Sequence, residues 1–137
     1  MFINSKDMTL YILSNVTIGD VQHDFNRAYP FLKIDFYKVS EISLPRKPLT
    51  PSLAFKIAGL TYEGALEISD SMTVGELENA FRKKFGLNVQ VSRKSGNLWL
   101  ETTISDKWTL KSQNDHGYEL SHYDKKVEPK NDDTDYG

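Results

Sequence analysis

The chain has 137 residues, of which 39% are apolar, 26% charged and 12% aromatic, values of a globular protein with material for one core and not two. Its formal charge is −2, and residues 1–123 balance fourteen basic against fourteen acidic groups, so no net field draws it to nucleic acid or to an anionic membrane. Without cysteine there is no disulfide, thiolate nucleophile or cysteine metal site. No apolar run reaches a signal h-region or the ~20 residues of a membrane span, so the expectation is a cytoplasmic protein with no membrane partner.

In chain order, alternation predicts a strand at Thr9–Ser14. A helix follows at Ile18–Tyr29, with an apolar stripe of Ile18, Val21, Phe25, Ala28 and Tyr29 and a stop at Pro30. A second strand covers Leu32–Val39. Residues 40–63 form an extended linker with Pro45, Pro48 and Pro51. Its second half, Leu53–Leu60, is apolar enough to cover the core, as helix or as strand. A strand at Ala65–Ser69 leads to a helix at Val74–Phe85. Here Thr73 caps, Glu76 completes a capping box, Met72 staples onto Leu77, and Gly86 takes the left-handed stop. Leu87–Arg93 alternates as a strand, and a tight turn over Lys94–Asn97 joins it to a hairpin partner at Leu98–Thr103. Ser105 or Asp106 then caps a short helix through Asn114 anchored by Trp108. Residues 124–137, nearly all polar, are expected to be a disordered tail.

Self-similarity links the two halves. Shifted by 56 positions, Thr17-Ile18-Gly19-Asp20-Val21 falls on Thr73-Val74-Gly75-Glu76-Leu77, Phe25 on Phe81, and Leu10 and Ile12 on Leu66 and Ile68. After one extra residue, Phe31, the strand Leu32, Ile34, Phe36 and Lys38 falls on Leu87, Val89, Val91 and Arg93. The expectation is a duplicated β-α-β unit, residues 8–39 and 64–93, within a single domain of residues 1–123. The class is α+β, with a mainly antiparallel four-stranded sheet and both helices on one face in the ferredoxin-like manner, plus the hairpin strand and short helix. The alternative is a sheet of five or six strands, with Leu98–Thr103 and part of the linker as edges.

Candidate chemistry is sparse. No glycine-rich phosphate loop, nucleophile elbow or His-Glu-x-x-His pattern is present, so no catalytic residue, cofactor or resident metal is expected. Gly19 and Gly75 stand in first helical turns, where bare amides can meet an anion, although room for close packing explains both copies better. Asp115, His116, His122 and Asp124 carry metal-ligating groups, as do Asp132, Asp133 and Asp135 without a calcium loop's glycine and terminal glutamate. Both sets read as solvated polar residues. His23 and Asp24 are the remaining polar candidates for a small-ligand enzyme pocket.

The sharper cluster is Arg82, Lys83, Lys84, Arg93 and Lys94, five bases with no intervening acid. A helix end bearing bases is expected from the dipole alone, and an eight-residue strand separates the two groups by ~25 Å. If Ile34, Phe36, Val89, Val91, Leu98 and Leu100 face the core, then Asp35, Tyr37, Gln90, Ser92, Trp99 and Glu101 face away. Trp99 near Tyr37 then offers a base-stacking platform, but a bare aromatic sheet face is more economically a face that something covers. The favoured reading is a non-catalytic protein-binding or adaptor domain, self-associating or in a complex. The alternative is nucleic-acid or anion binding through Arg82, Lys83, Lys84, Arg93, Lys94 and Trp99.

The run from Asp70 to Asn114, with its Gly-Asn-Leu-Trp-Leu-Glu-Thr-Thr and Lys-Trp-Thr-Leu segments, and the Thr17–Tyr37 stretch before it resemble a group of small uncharacterised Bacteroidetes proteins. The resemblance spans most of Met8–Tyr118. It implies the duplicated domain and no site residues. A 3-oxoacyl synthase label attached to some members does not suit this chain, which has no cysteine nucleophile and about a third of the length.

Overall fold

The computed structural model describes residues 7–38 and 46–127. They form β1 (Met8–Ile12), α1 (Ile18–Ala28), β2 (Leu32–Tyr37), α2 (Phe55–Ala58), β3 (Gly64–Ile68), α3 (Val74–Ala80), β4 (Asn88–Ser95), β5 (Leu98–Glu101) and α4 (Leu110–Val127), an α+β fold. Val39 and residues 128–137, with Asp132, Asp133 and Asp135, lie outside the described residues.

Two helices start on the same device. Thr17 Oγ1 accepts from the Asp20 amide at 3.2 Å while Asp20 Oδ2 accepts from the Thr17 amide at 3.2 Å. Thr73 and Glu76 reproduce this at 3.0 and 2.9 Å, so each helix has two of its orphan donors satisfied by neighbours three residues apart. Past Ala80 the expected regular helix widens into a π-helical turn, Phe81–Phe85. That turn buries both phenylalanines, with ring centroids 5.6 Å apart, and leaves Arg82, Lys83 and Lys84 exposed. Gly86 ends it at φ 71°.

β1 with β3 and β2 with β4 pair across the two halves, and only the β4–β5 hairpin, among the described residues, pairs within one. β1 pairs antiparallel with β3, and β2 antiparallel with β4, which pairs in turn with β5. The result is a two-stranded sheet, β1-β3, and a three-stranded sheet, β2-β4-β5, in place of the expected single sheet of four strands. β1 and β2 lie in different sheets, as do β3 and β4, so neither β-α-β segment forms a crossover inside one sheet. Leu10 stands opposite Leu66, and Asp35 opposite Gln90.

Hydrogen bonds around the helix starts also recur 55 or 56 residues later. The Ile18 amide bonds Leu53 O at 2.9 Å and the Val74 amide bonds Trp108 O at 3.1 Å. Phe55 N–H meets Val16 O at 3.0 Å, and Leu110 N–H meets Met72 O at 2.8 Å. The undecided stretch Leu53–Leu60 is thus a short helix, α2, seated on the start of α1 as the start of α4 is seated on α3. One core unites both sheets and all the helices: Leu10, Ile12, Phe25, Tyr29, Ile34, Phe36, Phe55, Phe81, Phe85, Val91 and Leu110 are all fully buried within it.

The C-terminal helix departs most from expectation. It begins at Leu110, with Thr109 Oγ1 accepting from the Ser112 amide at 3.1 Å, and runs through Val127 where a short helix and then a disordered tail were expected. Leu110 anchors it, whereas Trp108 is 43% exposed. Its buried face is Leu110, Gln113, Asn114 and Gly117, a stripe too polar to register as hydrophobic periodicity. Asn114 Oδ1 accepts from the Phe31 amide at 2.8 Å, and Gln113 Oε1 accepts from Arg93 at 2.9 Å.

Candidate functional site at the edge of the three-stranded sheet

The basic cluster of the sequence separates in space. Arg82 bonds its own helix at Asn79 Oδ1 (3.1 Å), and Lys84 Nζ donates to Ala65 O on β3 (2.7 Å). Lys83 is exposed on the same turn. Arg93 is half-buried beneath α4 through Gln113. Of the five bases, Lys94 alone approaches Trp99, which it faces across β4 and β5 with Nζ 5.9 Å from the ring centroid.

Tyr37 and Trp99 share a sheet face by register but do not meet. Tyr37 pairs with Asn88 and Trp99 with Lys94, six residues apart along β4, or roughly 20 Å. Nor is Tyr37 an open platform. It is 7% exposed, and the Arg46 guanidinium lies 4.3 Å from its ring centroid. Burial raises its phenol pKa above the usual value, reinforced by Asp35 and Glu101 and opposed by Arg46.

Sequence reasoning missed Lys33. Its Nζ sits 5.3 Å from the Trp99 centroid and 3.8 Å from Asp35. Because Lys33 is on β2, the indole leans inward across β4, where Ser92 is 5% exposed. Two ammonium groups on one ring make cation–π contacts on the order of 0.5–1 kcal/mol each at such a site. The residue 55 positions after Lys33 is Asn88, so aligning the two halves gave no hint of it.

Leu98 and Leu100 are the main correction. They share the face of Arg93, as alternation predicts, yet they are 65% and 42% exposed. Among the described strands β5 is the outermost of its sheet, and no described element buries its residues. All four β5 residues are exposed, Trp99 at 36%, and Ile104 just beyond is fully exposed. Among the described residues no strand pairs with the outer edge of β5. On the inner side Gly96, at φ 62°, opens the two-residue turn that a type II′ hairpin asks of a glycine. Thr102 N–H and Oγ1 both donate to Val91 O, at 3.2 and 2.9 Å, closing the hairpin's far end.

Beyond the end of β5 the edge of β4 is met from α3. Glu78 Oε2 accepts from the Val91 amide at 3.4 Å. Burial raises the carboxyl pKa, and this contact offsets it only in part. On the outer side of β2 the matching α1 residue, Gln22, donates to Ile34 O at 2.9 Å, and Asn26 to Leu32 O at 2.8 Å. β2 is therefore closed by side chains along its edge, and β5 is not.

The other candidates do not assemble. The Gly19 and Gly75 amides are already bonded to Pro51 O and Asp106 O, each at 2.8 Å, and their missing side chains leave the room those carbonyls need. His23 is exposed, and Asp24 pairs with Arg27 at 3.6 Å. Asp115 pairs with Lys111 at 2.7 Å, and His122 stacks on Tyr118 at 4.0 Å. Surface grooves of about 400 and 360 Å³ are lined around Thr9 and Glu67 and around Lys47 and Leu53, and neither includes these histidines. Among the described residues no three His, Asp or Glu converge in a metal-sized group, and no helix is long and apolar enough to cross a membrane. No family model matches the chain, and no curated protein or solved structure matches it.

Proposed function

We propose that the protein is a non-catalytic, cytoplasmic protein-binding module that engages its partner by strand addition at the open edge of β5. One observation carries this reading: a strand with Leu98, Trp99 and Leu100 all exposed and its outer backbone unpaired among the described residues. Natural sheets blunt such edges with charge, proline or a covering element, because an apolar open strand is a template for another chain. The same reading takes the two halves as copies of one β-α-β-α unit, with α2 and the start of α4 as the last element of each. The hairpin that forms β5 belongs to the second copy alone.

The test compares the immobilised chain with a Leu98→Lys, Leu100→Lys variant, whose substitutions lie at exposed positions and leave the circular dichroism unchanged. Proteins held by the first and lost by the second support strand addition. An identical set held by both rejects it.

A second reading, nucleic-acid or anion binding, is favoured by Lys33 and Lys94 on either approach to Trp99. Lys33 is already paired with Asp35, and Glu101 lies on the same face, which weakens that site for phosphate. A low-salt oligonucleotide shift that disappears in Lys94→Ala supports it, and no shift at low salt ends it.

A further inference from the structure

We infer that the chain added to β5 is a second copy of this protein, paired antiparallel about a twofold axis at Leu100. The inference rests on the strand-addition reading and specifies its partner.

The backbone dictates which groups are free. Residues 95 and 98 flank the two-residue turn, and Thr102 N–H bonds Val91 O. In an antiparallel ladder, alternate residues point their N–H and C=O to the same side. Leu98, Leu100 and Thr102 therefore direct theirs inward to β4, and Trp99 and Glu101 direct theirs outward. A twofold axis perpendicular to the sheet keeps its two faces in place, so a residue can only meet one of its own parity. The short free segment then allows two registers, one centred on Trp99 and one on Leu100.

Charge selects between them. Centring on Trp99 brings Lys33 and Lys94 of both copies, four ammonium groups, around two facing indoles, while Glu101 is carried off to the Asn97 turn. Centring on Leu100 sets Trp99 opposite the other copy's Glu101, and Glu101 opposite the other copy's Trp99. Each carboxylate then lands beside the indole that already gathers Lys33 and Lys94. The backbone of Glu101 in one copy then lies two strand spacings, ~10 Å, from that of Lys94 in the other, within reach of the two long side chains. In this register Trp99 and Glu101 form hydrogen-bonded pairs with the other copy, four main-chain bonds in all. Leu100 meets its symmetry mate as the close pair, with Cα atoms ~4.5 Å apart. The sheet becomes six strands, β2-β4-β5 and its mirror order.

A four-residue edge is small against the ~1,200 Å² of a standard interface, so the dimer is weak and concentration-dependent. Sedimentation equilibrium of the full chain from micromolar to millimolar concentration tests it. The expected result is a monomer–dimer equilibrium that Leu100→Lys abolishes, because it places two ammonium groups on the axis. Lys94→Glu and Glu101→Lys each weaken the dimer about tenfold at low salt, and the two together restore it to within about threefold. A dimer untouched by Leu100→Lys, or single substitutions with no rescue in the double, overturns the proposal. A chain monomeric throughout overturns the second copy as partner; strand addition itself then stands or falls on the retention comparison above, which reads partners other than this chain.

Discussion

Leu10 on β1 lies directly opposite Leu66 on β3, the residue 56 positions later in the chain. Asp35 on β2 likewise lies opposite Gln90 on β4, the residue 55 positions later. Both strand pairs therefore join segments 55 or 56 positions apart, with residues of that spacing face to face. Both leucines are buried. Leu10→Ala is expected to cost about 2–4 kcal/mol. The double change with Leu66→Ala is expected to cost less than the sum by about 0.5–1 kcal/mol, since the two face each other. Urea denaturation of the four-member cycle measures this, and strict additivity contradicts the pairing.

Gly117 sets local propensity against packing. An alanine in an exposed helix interior stabilises by about 1 kcal/mol over glycine. At 117 the added carbon sits 2.8 Å from Phe31 Cβ and 3.2 Å from both Arg93 Cγ and Lys94 O. Overpacking therefore wins, and Gly117→Ala is expected to lower stability by about 1–3 kcal/mol and to speed amide exchange along α4. A stabilised variant means that α4 does not dock as described.

Tyr29 is fully buried, with its hydroxyl donating to Asp70 Oδ1 at 2.9 Å. Burial first, and the Asp70 carboxylate second, push the phenol well above its ordinary pKa. The folded pKa exceeds the unfolded value of about 10, so the contribution is complete below that pH and is lost as pH rises above it. Tyr29→Phe is expected to cost about 1–2 kcal/mol at pH 7. The gap to wild type narrows above pH 10, as followed by denaturant midpoints. A gap that widens with alkalinity refutes the assignment.

Glu78 follows the same linkage in a lower pH window, already passed at neutrality. Its carboxyl pKa is raised chiefly by burial, and a carboxylate whose folded pKa lies above its unfolded one binds protons more readily when folded. Stability from this group therefore falls as pH rises through the window from its unfolded value to the raised folded one. Glu78→Gln keeps an oxygen for the Val91 amide and removes the charge. It is expected to melt slightly higher than wild type at pH 7, with the difference vanishing by about pH 3. A variant less stable at pH 7 shows that the charge is needed, contrary to this account.

Much of the local structure was legible because its causes lie within one turn or one pleat. Thr17 with Asp20 and Thr73 with Glu76 sit three residues apart, Gly86 needs only its own φ, and the apolar residues of β2 and β4 alternate as written, although Gln90 and Ser92 on the other face of β4 are buried too. Composition likewise excluded cysteine chemistry. The tertiary structure alone decided what those elements meet. Which strands pair is a contest among contacts more than fifty residues apart, and two sheets across the halves won over one. α4 escaped notice past Asn114 because Gln113, Asn114 and Gly117 bury by hydrogen bonds and close approach, without an apolar stripe. Leu98 and Leu100 alternate like core residues, yet among the described residues nothing buries them beneath the outermost strand, and strand order is not written in a strand's own residues. The bases between Phe81 and Ser95 are neighbours along the chain, but the length of β4 holds them apart. Trp99 instead acquired Lys33 from the far strand of its sheet, because pairing across β4 brings together side chains that the sequence keeps 66 positions apart.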